Sequence, residues 1–163
     1  MAGMSDRIPI TTKGFEQIKT ELHRLITVDR PGIQKAIAEA REHGDLKENA
    51  EYHAAKERQS FIEGRIQEIN GKMPLFQVVD LATLSSNGNK IVFGAKVTLE
   101  NLDTEEKMQY QIVGPDEANI KLNLISFQSP IAKALIGRQL GDVINVSVPK
   151  GNVEVEITDI LYE

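Results

Sequence analysis

The sequence contains no cysteine and no tryptophan, and aromatic residues make up only 5% of its 163 residues. Without cysteine, disulfide bonds and thiolate metal sites are excluded. No apolar run is long enough to cross a membrane, and the first residues lack the basic and apolar regions of a signal peptide. Hydrophobic residues make up 40% and charged residues 26% of the chain, which is typical of soluble globular proteins. These features predict a cytoplasmic protein with no membrane partner.

The net charge of −5 is unevenly distributed along the chain. Residues 1–75 contain 12 basic and 12 acidic side chains, whereas residues 76–163 contain 7 basic and 12 acidic ones. Phosphate neutralisation dominates the affinity of proteins for nucleic acids, so an acidic chain is a poor autonomous binder. We therefore expect weak or no nucleic-acid binding by the isolated protein, with a partner macromolecule supplying most of the contact.

The first half of the sequence has the periodicity of helices. Thr11 or Thr12 is a candidate cap for the first helix. Pro31 cannot donate an amide hydrogen bond inside a helix, so a kink or a restart is predicted near residues 29–31. Spacings of three and four place a series of apolar side chains on one helical face. They are Phe15, Ile18, Leu22 and Leu25, followed by Ile33, Ala36, Ile37 and Ala40.

A break in this pattern occurs at residues 43–45. Gly44 can take the left-handed conformation that ends a helix, Asp45 is a good N-cap, and Glu48 stands where a capping box has its acidic residue. A second helix is predicted over residues 47–73, and so short a turn makes the two helices antiparallel. The narrow stripe of apolar side chains on this second helix predicts a projecting two-helix coiled coil, with a packed helical bundle as the alternative. The stripe consists of Ala50, Ala54, Phe61, Ile62, Ile66 and Ile69.

The second half has the alternating pattern of strands. Strands are predicted over residues 91–99, 109–113, 122–126, 143–148 and 153–160, with a hairpin turn at residues 150–152. Ser129 caps a predicted short helix that Gly137 ends. The predicted organisation is therefore α+β: a helical hairpin in residues 1–75 and a small antiparallel sheet domain with one short helix in residues 76–163.

The turn at residues 44–49 is the candidate functional site, and its two carboxylates allow three interpretations. Asp45 and Glu48 can simply cap the second helix and favour the positive end of its dipole. A calcium-binding loop is disfavoured, because the sequence does not place an oxygen ligand at every second residue. The pair can also serve as a weak Mg²⁺ site, since Mg²⁺ commonly takes one or two protein carboxylates and completes its shell with water and phosphates. Such a pair would share the ion with a second macromolecule.

Residues 37–56, IAEAREHGDLKENAEYHAAK, closely resemble the tip signature of the GreA/GreB family of transcript-cleavage factors. Further matching segments follow in order along nearly the whole chain. They are residues 64–66 (GRI), 91–95 (IVFGA), 112–114 (IVG), 123–126 (NLIS), 129–132 (SPIA) and 134–137 (ALIG). The resemblance implies a coiled-coil hairpin followed by an FKBP-like domain that docks on RNA polymerase. The balanced charge of residues 1–75 favours the GreA branch, which releases very short RNA fragments.

The resemblance also implies a mechanism. The coiled coil of such factors enters the secondary channel of a backtracked RNA polymerase, where Asp45 and Glu48 would help to hold a Mg²⁺ ion and position the attacking water. No cofactor is expected on the protein alone, because the ion is shared in the polymerase active site. The polymerase performs the hydrolysis, so this chain is expected not to be an enzyme.

The residues beside the acidic pair have less specific predicted roles. Arg41, Lys56 and Tyr52 are candidates for contact with the nascent RNA 3′ end, against the alternatives of solvated helix charge and packing between the helices. Asn49 is expected to steady the turn through backbone hydrogen bonds. Two other functions stay open: a regulator that occupies the channel without stimulating cleavage, and a peptidyl-prolyl isomerase, which the few aromatic residues of the second half disfavour.

Overall fold

The computed structural model describes residues 7–45, 48–87, 89–149 and 151–163, which divide into two compact units. Phe15–Phe76 form one, here called the hairpin unit, and Gln77–Glu163 form the other, here called the sheet unit. The described N-terminal residues through Gly14 belong to the sheet unit, whereas the sequence assigned them to the first domain. The reason is a strand that the sequence analysis missed: β1 (Ile8–Thr11) pairs with β2 (Phe76–Val79).

Three helices account for most of the first half. Helix α1 spans Thr12–Arg24, α2 spans Arg30–Arg41 and α3 spans Ala50–Lys72, which a short 3₁₀ turn over Met73–Leu75 follows. Thr11 caps α1 as predicted, because its hydroxyl accepts a 3.1 Å hydrogen bond from the amide of Gly14. Among the described residues, no helix is long and apolar enough to span a membrane.

The irregularity predicted near Pro31 is a π-helical turn over Leu25–Asp29 that joins α1 to α2. Its defining hydrogen bond runs from the amide of Arg30 to the carbonyl of Leu25, five residues back. Pro31 has no amide hydrogen and its ring crowds the carbonyl four residues before it, so a wider turn at this point relieves the conflict. The helix therefore continues through the turn without a gap.

The two arms of the hairpin are antiparallel. Residues progressively further before the turn contact residues progressively further after it. Asn49 contacts Ala40, Arg30 contacts Glu63, and Glu21 contacts Arg65. The buried seam consists of Ile18, Leu25, Ile37 and Ala40 before the turn and Ala55, Ile62, Ile66 and Ile69 after it. The spacing of seven, four and three in α3 is that of a coiled-coil seam, as predicted.

Part of the predicted stripe in α3 is wrong. Ala50 and Ala54 are exposed, and Phe61 is 61% exposed. Apolar residues of α3 occur as neighbouring pairs, such as Ala54 with Ala55 and Phe61 with Ile62, and periodicity alone does not tell which member of a pair faces the partner helix. The second member of both pairs does so in the structure.

Two bidentate ion pairs reinforce the seam. Arg30 donates two hydrogen bonds of 2.9 Å to Glu63, and Arg65 donates two of 2.7 Å to Glu21. The hydrogen bond from Arg65 holds the pKa of Glu21 below its ordinary value, although partial burial opposes the shift. Two-pronged pairing fixes orientation as well as distance, so these contacts fix the register of the two helices.

The sheet unit contains a five-stranded sheet in the order β5-β4-β3-β7-β6. Its strands are β3 (Lys96–Asn101), β4 (Lys107–Val113), β5 (Leu124–Ser126), β6 (Val143–Val148) and β7 (Gly151–Leu161). The pairing is antiparallel except between β4 and β5, so the predicted antiparallel sheet is confirmed with one parallel pair at its edge. Helix α4 (Pro130–Leu135) covers the core, and Ser129 caps it as predicted.

The predicted strand over residues 91–99 is shorter in the structure, because residues 91–95 follow an irregular path. Gly94 has a φ of +92°, a value that interrupts an extended strand. Ile91 and Ala95 are fully buried, so the apolar run reflects burial in the core. The hydroxyl of Tyr162 holds this segment by accepting from the amide of Val92 (3.0 Å) and donating to the carbonyl of Lys90 (2.6 Å).

We expect Glu21→Gln to destabilise the hairpin modestly at pH 7, by about 0.5–1 kcal/mol, because this half-exposed ion pair is screened by solvent. The lowered pKa of Glu21 means that its contribution is present above the ordinary carboxyl pKa and is lost as the pH falls through the folded-state value. Urea unfolding at pH 7 and at pH 3 should therefore show a smaller pH dependence in the variant. Glu57→Gln, an exposed carboxylate on α3, is the matched control, and an equal pH dependence in all three proteins would contradict the assignment.

Candidate functional site

The turn between α2 and α3 begins with hydrogen bonds of the tighter 3₁₀ type at the end of α2. The amides of Glu42, His43 and Gly44 donate to the carbonyls three residues before them at 3.2, 3.1 and 3.4 Å. Gly44 then takes a φ of +109°, where a side chain would be strained although the space around it is open. Gly44 thus has the positive φ that the sequence predicted, although α2 itself ends earlier, at Arg41. Leu46 and Lys47 lie outside the described residues.

Asn49 is the N-cap of α3, and the predicted capping by Asp45 and Glu48 is wrong. The side-chain oxygen of Asn49 accepts a 3.1 Å hydrogen bond from the amide of Tyr52, and α3 begins at Ala50. The Asn49 amide group also donates a 2.5 Å hydrogen bond to the carbonyl of Ala40 across the hairpin. Asparagine and aspartate cap helices about equally well, but a carboxylate has no hydrogen to donate across the turn. The expectation that Asn49 steadies the turn is confirmed.

Asp45 and Glu48 both have exposed side chains beside this cap. Because the N-cap of α3 is Asn49, Glu48 lies before the cap and is not the acidic residue of a capping box. Carboxylate oxygens are hard ligands of the kind that Mg²⁺ takes, and two of them leave most of its six positions to other donors. Within the described ranges no group of three or more His, Cys, Asp or Glu side chains is arranged to hold a metal.

The three predicted RNA-contact candidates divide into two groups. The guanidinium carbon of Arg41 lies 5.9 Å from the centre of the Tyr52 ring, a cation–π distance that joins the end of α2 to the start of α3. Lys56 is exposed one turn further along α3 and contacts Gln59 at 3.2 Å. The structure therefore brings Arg41 and Tyr52 together, and Lys56 lies one helical turn after Tyr52 on α3.

His53 joins this group, which the sequence analysis did not anticipate. Its ring lies 5.6 Å from that of Tyr52 at an interplanar angle of 62°, an edge-to-face contact. Adjacent positions on a helix do not normally face each other, so sequence spacing gives no signal for such a pair. Arg41, Tyr52 and His53, here called the aromatic cluster, form a polarisable surface beside the two carboxylates.

Comparison with known proteins identifies the family. The family model for the N-terminal part of the GreA/GreB transcription elongation factors matches residues 8–78, and the model for their C-terminal part matches residues 85–162. The chain belongs to the GreA/GreB family of transcription elongation factors. The resemblance inferred from residues 37–56 and from the later segments is thereby confirmed.

Several members of the GreA/GreB family are similar to the chain over nearly its full length. Transcription elongation factor GreA of Halorhodospira halophila is 59% identical over 157 residues, and that of Pasteurella multocida is 57% identical, each covering 96% of this chain and 99% of the relative. Among solved structures, GreA factor homolog 1 of Thermus thermophilus is 27% identical, with a TM-score of 0.43 over 95% of this chain and 99% of that one.

We expect Asn49→Ala to destabilise the hairpin of this family member by about 1–2 kcal/mol, because the variant loses both the helix cap and the bond to Ala40. Asn49→Asp keeps the cap acceptor and loses only the cross-turn donor, so its effect should be the smaller one. Urea unfolding followed by helical circular dichroism measures both. Equal destabilisation by the two substitutions would show that the cap contributes nothing.

Proposed function

We propose that this elongation factor binds RNA polymerase, inserts its hairpin into the secondary channel and stimulates the cleavage of backtracked nascent RNA by the polymerase. The observation that carries the proposal is the placement of Asp45 and Glu48. Both are exposed beside the turn of an antiparallel hairpin whose helix cap comes from Asn49. Family membership supports the role in elongation.

The proposed reaction is hydrolysis of a phosphodiester bond in the RNA. Water attacks the phosphorus atom, the bond to the 3′ oxygen breaks, and the retained RNA ends in a 3′ hydroxyl from which synthesis resumes. Mg²⁺ in the polymerase active site would stabilise the attacking and leaving oxygens. Asp45 and Glu48 would act as two of its oxygen ligands and would orient the water through hydrogen bonds to their carboxylates. The chain is thus a cofactor of the polymerase and does not cleave RNA alone.

The aromatic cluster would be the site that binds the RNA. A nucleobase can stack on an aromatic ring, and a neighbouring guanidinium adds a cation–π contribution and attracts phosphate. Arg41 and Tyr52 are already in contact, so this pair would meet the RNA with little loss of side-chain freedom. Lys56, one helical turn further along α3, would contribute positive charge.

We expect the double variant Asp45→Asn, Glu48→Gln to lose stimulation of cleavage by about a hundredfold or more, because amides are weak ligands for Mg²⁺ and the cost is several kcal/mol. The measurement is the rate and length of RNA released from a defined backtracked polymerase complex in Mg²⁺, where the unaltered protein should release very short fragments. The two substitutions preserve side-chain size, so folding and polymerase binding should stay unchanged.

Glu57→Gln is the matched control, since Glu57 is an exposed carboxylate on the same helix as the tip. It should retain full stimulation. Full stimulation by the double variant would overturn the assignment of the acidic pair. Slowing of nucleotide addition without any cleavage would instead identify the chain as a regulator that only occupies the channel.

A further inference from the structure

The middle of the hairpin carries a groove that neither the acidic pair nor the aromatic cluster uses. It has a volume of about 320 Å³ and lies between the start of α2 and the middle of α3. We call it the hairpin groove, and it is lined by Val28, Asp29, Gly32, Ile33, Arg58 and Ile62. All six residues belong to the hairpin unit, so the groove is a property of this unit alone.

The groove and its border expose apolar side chains to solvent. Val28 is 54% exposed, and Phe61, one helical turn after Arg58, is 61% exposed. The guanidinium carbon of Arg58 lies 5.0 Å from the centre of the Phe61 ring, so the phenylalanine and the lining of the groove form one surface. Exposed apolar surface bordered by charged residues is typical of sites that bind other proteins.

Gly32 keeps the groove open, although the fold does not need a glycine at this position. It lies inside α2, where glycine is the poorest helix former after proline, and its φ is not positive. A Cβ placed on Gly32 would meet no heavy atom within 4 Å, whereas one on Gly114 would overlap the carbonyl oxygen of Pro9. A side chain at position 32 would therefore favour the helix and fill the groove. The glycine is useful only to an occupant of the groove.

The chemistry of the lining selects the class of occupant. Val28, Ile33 and Ile62 supply apolar surface, and the charged side chains of the lining are Arg58 and Asp29. A nucleic-acid backbone is disfavoured, because its affinity comes from phosphate neutralisation and the carboxylate of Asp29 opposes a phosphate. An apolar side chain of a protein matches the lining, with the two charges at the polar border that protein interfaces have. Such an anchor in a pocket supplies much of the affinity of an interface.

The position of the groove along the hairpin indicates which protein meets it. At a rise of about 1.5 Å per residue, Arg58 lies about 12 Å and Phe61 about 17 Å from the start of α3 at Ala50. The function proposed above brings the acidic pair to the active site of the polymerase. The segment that follows within 20 Å, roughly four helical turns, would then be enclosed by the channel.

We propose that the hairpin groove binds a large apolar side chain that projects from the wall of the polymerase secondary channel, with Phe61 packing beside it. The proposal rests on the proposed function, because only insertion of the hairpin brings the channel wall to this surface. The groove contributes to the affinity for polymerase, and the acidic pair contributes to the reaction. Changes in the groove consequently affect binding without affecting the rate at saturation.

Gly32→Leu fills the groove with a side chain of the protein itself and should weaken the binding of core RNA polymerase about tenfold. Leucine is a better helix former than glycine, so the midpoint of urea unfolding should stay the same or rise. Weaker binding by an equally stable protein separates the groove from the fold. Gly32→Ala should weaken binding about threefold, and Phe61→Ser about tenfold. Affinity is measured by competition of each full-length variant against the labelled unaltered protein.

Gly71→Leu is the matched control, because Gly71 is also exposed within a helix, has open space around it and lies outside the groove. It should bind polymerase as tightly as the unaltered protein. In the cleavage assay, Gly32→Leu should need about tenfold more protein for half-maximal stimulation and should reach the same rate at saturation. A lower rate at saturation with unchanged affinity would overturn the proposal.

Equal affinity of Gly32→Leu and the unaltered protein for polymerase would overturn the groove proposal and leave the proposed function intact. A matching loss of affinity for single-stranded RNA would assign the groove to RNA, and loss of self-association in sedimentation would assign it to a second copy of the chain. Either result would overturn the proposal. If the unaltered protein binds polymerase without stimulating cleavage, the proposed function fails, and the comparison of Gly32→Leu with Gly71→Leu still decides the groove.

Discussion

The pairing of the two hairpin arms is the interaction on which the functional turn depends. Each arm contributes four buried residues to the seam. Burying each leucine or isoleucine among them stabilises by about 1.5–3 kcal/mol, and the alanine of each arm contributes less. Apolar burial has no direction, so polar contacts add the geometric specificity that fixes the register. The two bidentate arginine pairs do this at Glu63 and Glu21, and the Asn49 amide does it beside the turn. The acidic residues can be exposed because other residues hold the turn together.

The structural roles at the turn belong to residues other than the acidic pair. Asn49 satisfies the orphan amide of Tyr52 and binds the opposite arm, and Gly44 provides the unusual backbone angle. Neither task needs a charge. Asp45 and Glu48 are therefore needed neither for the N-cap of α3 nor for the positive φ of the turn.

The sequence predicted the turn, the hairpin and the general class of fold, and its failures have identifiable physical causes. Gly44 and Pro31 constrain the backbone directly, so the end of the helix and the irregularity were recognisable. The cap was assigned to Asp45 because Asp and Asn have similar propensities, and only the bond to Ala40 distinguishes them. Phe61 was placed in the seam because Ile62 beside it fits the same period. The parallel pairing of β4 with β5 and the contact of Glu117 with Thr11, 106 residues away, depend on tertiary structure and leave no local pattern.

The π turn over Leu25–Asp29 has a consequence for the evolution of the hairpin. It contains one residue more than an α-helical path would need between the seam residues on its two sides. If the same number of residues followed a regular α-helix, Ile37 and Ala40 would be rotated by about 100° away from α3. Deleting the extra residue would instead leave a regular α-helix that keeps both side chains in the seam. Insertions and deletions are usually best tolerated in loops, but a single-residue deletion between Leu25 and Pro31 would preserve the seam within a helix.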